Sequence, residues 1–147
     1  MACTLGALCD QLTIVKLKQY HTDDNKKADS LALQERELCD EINVFFSNAV
    51  AGLIKPDKLV FSANKVYKQQ GNELGELQGT SIGQFFTELA KVNCDLWHEQ
   101  EKVYEFDKVP IDEKDKVVKQ LALLNLRRNQ CIDAIDRKFQ ELILTVR

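Results

Sequence analysis

Residues 4–24 of this chain return in kind at residues 81–101. At a constant offset of 77 positions Thr4 matches Ser81, Leu5 Ile82, Gly6 Gly83, Leu8 Phe85, Leu12 Leu89, Val15 Val92, Tyr20 Trp97, His21 His98 and Asp24 Glu101. A shorter block follows in each half at an offset of 93: "LQERELCDEINVFF" from Leu33 aligns with "LRRNQCIDAIDRKF" from Leu126, pairing Asp40 with Asp133, Ile42 with Ile135, Asn43 with Asp136 and Phe46 with Phe139. Two blocks in the same order describe a duplicated unit, residues 4–54 and 81–146, joined by a crossover over 55–80.

Each copy reads as a helical hairpin. Ile82, Phe85, Phe86, Leu89, Val92, Leu96 and Trp97 recur at three- and four-residue steps, the signature of one helix face. Ser81 followed by Gln84 supplies a capping box, and Thr4 is the matching cap in the first half. The expected helices are 4–27, 29–54, 81–107 and 112–146, with the arms of the second hairpin about eight residues longer, or about 12 Å of helix. In the crossover, Leu59, Ala63 and Val66 are spaced for a short helix, and Gly71, Gly75 and Gly79 mark loop. Two amphipathic hairpins bury their stripes most simply as an all-α four-helix bundle with approximate two-fold symmetry.

Composition agrees and removes several classes of function. At 147 residues the chain is one domain, 1–147, with a core of ordinary size. Twenty basic residues interleave with 23 acidic ones, so no electrostatic footprint for nucleic acid is expected. No run approaches the roughly 20 apolar residues of a membrane helix, and "MACTLGALCD" reads as lacking a leader, so the expectation is a cytoplasmic protein with no membrane contact. Cys3, Cys9, Cys39, Cys94 and Cys131 are odd in number with no C-x-x-C pair, which fits packed, reduced thiols better than a disulfide framework or a zinc site. No glycine-rich phosphate loop or nucleophile elbow is present.

Polar residues at the helix seams are the candidates for chemistry. Leu124, Arg128 and Ile132 follow at four-residue steps, as do Leu31, Glu35 and Cys39, so Arg128 and Glu35 stand inside apolar stripes. They are equivalent positions of the two repeats. Three readings stand: an internal salt bridge fixing the register of the hairpins, an arginine lining a pocket for a carboxylate or phosphate, or side chains that reach the bundle edge. The pairs His21 with Asp24 and His98 with Glu101 are related by the repeat, and their spacing places each acid one turn beyond its histidine. A di-iron bundle uses Glu-x-x-His, the reverse order, so these four residues are weak metal candidates and no cofactor is expected. The other readings pack Tyr20 and Trp97 as core with each histidine bonding a neighbouring carboxylate, or use His98 as general acid or base with Glu101.

The stretches "LWHEQEKVYEFD" and "LALLNLRRNQCIDAIDRKF" resemble a bacterial family of small all-helical proteins known only as a domain of unknown function. Its Trp-His-x-Glu-Asp and Leu-Asn-x-x-Arg-Asn stretches correspond to Trp97, His98, Glu101, Leu124, Asn125, Arg128 and Asn129, over about residues 80–140. The family's first acid is Gln100 here. Some members are encoded near glycosyltransferases, so the resemblance implies a setting in cell-surface polysaccharide metabolism but no reaction. It singles out Asn125, Arg128 and Asn129, whose spacing turns them the same way.

Two expectations of function follow. In the first, the bundle is noncatalytic and binds a protein partner or a second copy, using Tyr104, Phe106, Val109 and Ile111 at the tip of the second hairpin. In the alternative, it is an enzyme or anionic-ligand binder with a pocket between helices formed by Arg128, Asn125, Asn129 and Glu35, served by His98 and Glu101.

Overall fold

The computed structural model describes residues 3–61 and 66–146. They form a four-helix bundle: α1 (Leu5–His21), α2 (Asn25–Val50), α3 (Ile82–Tyr104) and α4 (Lys114–Val146). The arms of the second hairpin have 23 and 33 residues against 17 and 26 in the first, so the expected difference in length holds in direction.

The helix ends follow from local chemistry. The Thr4 hydroxyl accepts from the Ala7 N–H, and Ser81 with Gln84 forms a reciprocal capping box, so the repeat's cap positions are used alike. The first turn falls at 22–24 instead of near residue 28, because the Asp24 carboxylate caps α2 by accepting from the backbone N–H groups of Lys26 and Lys27. Helix α2 stops at Val50, short of the expected 54. Gly52 takes φ 78°, and the Leu53 N–H reaches the Asn48 carbonyl while the Gly52 N–H reaches Ala49, a Schellman ending.

Leu5, Leu89 and Ile135 are fully buried at the centre, each contributing about 1.5–3 kcal/mol by leaving water. Helix α4 packs along α3 and across α1. Helix α2 lies chiefly on α1 and meets α4 only locally, where Phe139 contacts the Phe45 and Phe46 rings at 6.0 and 4.9 Å. The expected two-fold symmetry is therefore broken in packing. Ile135 and Phe139 are buried, whereas their repeat partners Ile42 and Phe46 are half-buried and exposed.

The crossover is strapped to α4. Gln140 donates to the Pro56 carbonyl, Lys119 to that of Gly71, and Arg127 and Gln130 both to that of Gly75. Of its expected short helix, Ala63 lies outside the described residues; Pro56–Lys58 forms a single 3-10 turn and Val66 is exposed.

Candidate functional site

Glu35 and Arg128 do not pair. Glu35 stands at the edge of the α1–α2 seam, where it accepts from Gln19 at 2.8 Å and Lys16 at 3.0 Å; the Gln19 bond first and then that from Lys16 hold its carboxyl below the ordinary glutamate value. Arg128 turns toward α1, its Nε 3.6 Å from Asp10 Oδ1. The same Asp10 oxygen accepts from Asn93 of α3 at 3.0 Å, so one carboxylate ties three helices. Asp10 and Asn93 are buried, and Arg128 Nε is itself buried with no hydrogen bond of good geometry among the described residues. Sequence position made Glu35 and Arg128 equivalent, but broken symmetry sends α2 to the periphery and α4 to the centre.

Asn125 and Asn129 flank Arg128 on α4, with both side chains spent on the helix itself. Their side-chain amides donate to the carbonyls of Leu121 and Asn125, bonding the helix that carries them.

A second buried carboxylate was not singled out from the sequence. Asp136 is fully buried and accepts the Gly6 N–H at 2.7 Å, at the start of α1. Burial pushes its carboxyl up to about 6; the Thr4 hydroxyl and the Gly6 N–H pull against that shift, and Asp133 adds to it. Oδ2 is buried without a hydrogen bond of good geometry among the described residues. Cys9 lies in the same region, its thiol pushed up to about 12 by burial and then by Asp136 and Asp10. Cys131, also buried, is raised to about 11. The signal for Asp136 was available: 124, 128, 132 and 136 continue the step that picked out Arg128. Asn93 likewise follows Leu89 by four. Nothing in the local pattern of α1 marks Asp10, whose burial depends on α3 and α4 closing over it.

The two aromatic-histidine pairs meet at one end of the bundle. The His21 ring stacks on Trp97, with centroids 4.6 Å apart and planes 10° from parallel, and meets His98 edge-on at 6.4 Å. Trp97 is half-buried as expected, but Tyr20 is 85% exposed, so the repeat's matching rings do different things. Asp24 serves as the cap of α2. On α3, His98 Nε2 is 3.7 Å from Cys94 Sγ and Nδ1 is 4.0 Å from Glu101 Oε1. A cysteine, a histidine and a carboxylate thus share one helix face. The i, i+4 spacing of Cys94 and His98 is the sequence signal for this contact. These residues sit in the C-terminal half of α3, where backbone N–H groups are spent on the helix, so the arrangement provides no backbone donors for an oxyanion. Among the described residues no three His, Cys, Asp or Glu side chains converge as a metal site.

No protein-family model, characterised protein or solved structure matches this chain. Site geometry therefore carries the functional reading alone.

The outer face of the α1–α2 hairpin is open. Three confluent depressions of about 340, 520 and 360 Å³ run along it. The first is lined by Lys18, His21, Lys27, Gln34 and Trp97 among others; the second by Ile14, Lys18, Leu33, Gln34 and Glu37; the third by Leu8, Glu37, Asp40, Glu41 and Val44. Lys18 and Gln34 are shared by the first two and Glu37 by the last two, which makes one furrow. Leu33 is 51% and Val44 58% exposed. The tip of the second hairpin offers less apolar surface than expected. Tyr104 and Ile111 are exposed, but Phe106 and Val109 are half-buried and the Lys114 ammonium sits 4.9 Å over the Phe106 ring.

Proposed function

We propose that this chain is a noncatalytic binding protein whose working surface is the α1–α2 face, and that it receives there the helical face of another polypeptide. The one-sided packing of α2 carries this reading. The helix is anchored through Leu31, Leu38, Phe45 and Ala49, while its opposite side holds Leu33 and Val44 above a continuous furrow. Single exposed apolar residues are ordinary. A furrow between two helices with an apolar middle and charged ends is the form that amphipathic helices occupy. A cytoplasmic setting belongs to the same proposal; no helix of the described residues is long and apolar enough to cross a membrane.

A photo-crosslinking amino acid placed at position 33 in living cells tests the reading, with position 118 on α4 as an exposed control. Illumination is expected to join position 33 to a polypeptide identifiable by its cross-linked peptides, and position 118 to far less. Equal or negligible adducts at both positions would overturn it.

A further inference from the structure

We propose that the polypeptide received by the α1–α2 face is a second copy of this chain, arranged antiparallel about a two-fold axis beside Leu33. The inference rests on the binding reading above and adds the identity and direction of the partner.

Charge order along the furrow supplies the direction. At the end nearest the 22–24 turn the lining cations are Lys18 and Lys27; at the far end the lining acids are Glu37, Asp40 and Glu41. Ile14, Leu33 and Gln34 lie between, in a depression that Lys18 and Glu37 also border. The surface is thus positive, apolar, negative in that order. A parallel second copy would set like charge on like. An antiparallel copy sets the lysine end of each chain on the acidic end of the other and leaves the apolar middle against itself, which is the self-complementarity an isologous two-fold interface requires.

Spacing supplies the axis. Lys27 and Glu41 are fourteen positions apart, about 21 Å along a helix. Their midpoint is Gln34, next to Leu33. With the axis there, Lys27 of each copy faces Glu41 of the other. Every charge contact occurs twice, so a single reversal acts at two places. The duplication also gives the face its origin: α2 aligns in sequence with α4, which packs on both α3 and α1, whereas α2 packs chiefly on α1, and the second copy supplies the cover that α2 lacks.

Sedimentation equilibrium of the full chain, with circular dichroism to confirm folding, tests this on surface variants that leave the core intact. Wild type is expected to dimerise and Leu33→Glu to remain monomeric. Lys27→Glu and Glu41→Lys are each expected to weaken association about tenfold, and the double reversal to restore it, since opposite charges then face each other again. A wild-type monomer at every accessible concentration would overturn the proposal. So would a dimer in which the double reversal is no better than the two single ones. If position 33 cross-links to a different polypeptide while the chain sediments as a monomer, the binding face survives and the second copy does not.

Discussion

Gly6 and Asp136 meet backbone to carboxylate at 2.7 Å, joining the first turn of α1 to the middle of α4 across 130 residues of sequence. The contact depends on a bare Cα. A Cβ on Gly6 would stand 2.6 Å from the Ile132 carbonyl oxygen and 2.9 Å from Asp136 Oδ1, and the first of these is backbone that cannot swing aside.

Gly6→Ala is therefore expected to destabilise the bundle by about 2–3 kcal/mol, the scale of an overpacked core. Gly83 is the matching position of the second repeat and has nothing within 4 Å of its Cβ site. Gly83→Ala should be neutral or stabilising by up to about 1 kcal/mol. Urea unfolding of both variants checks the contrast.

Asp136 should make stability fall as pH rises through the weakly acidic range. Its carboxyl is raised from 3.8 to about 6, so folding favours the protonated form. The contribution is full below about pH 4 and lost by the time the pH passes 6. A shift of that size corresponds to about 3 kcal/mol. In Asp136→Asn, whose amide oxygen still accepts from Gly6, the difference in stability from wild type is expected to change between pH 4 and 6.5 and to be constant above that range. Chemical unfolding at a series of pH values measures it.

Arg128→Met should destabilise, since it removes the cation beside buried Asp10 and leaves that carboxylate with Asn93. The contact is long and Arg128 is partly exposed, so about 1–3 kcal/mol is expected, below the cost of breaking a fully buried pair. In a double-mutant cycle with Asp10→Asn the second substitution should cost less than it does alone. Additive costs would mean that the two groups do not interact.

Thiol chemistry should divide the cysteines. Burial raises Cys9 and Cys131 to about 12 and 11, so both should resist iodoacetamide in the native protein at pH 8, while exposed Cys3 and Cys39 react. Cys94 should react too, and more slowly in His98→Ala, which lacks the imidazole 3.7 Å away. Peptide mapping after timed alkylation reads all five sites.

Much of this architecture was legible in sequence because helix faces and caps are local. The capping box at Ser81, the Thr4 cap and the stripe through Leu89 and Val92 follow from spacing alone. The site was less legible. Repeat equivalence placed Glu35 against Arg128, but equivalence in sequence does not determine which copy packs centrally. Once α4 takes the centre, Arg128 meets Asp10 while Glu35 stays at the rim with Lys16 and Gln19. Asp10 became buried only through elements far away in the chain, and the open face of α2 is a consequence of a packing asymmetry that no local pattern encodes.

Hydrogen exchange of the full chain at dilute and concentrated protein tests the central claim most directly. If a second copy covers the α1–α2 face, amides of residues 30–48 should gain protection with concentration while those of the α4 centre, residues 124–139, stay unchanged. Exchange in 30–48 that is the same at every concentration would contradict it.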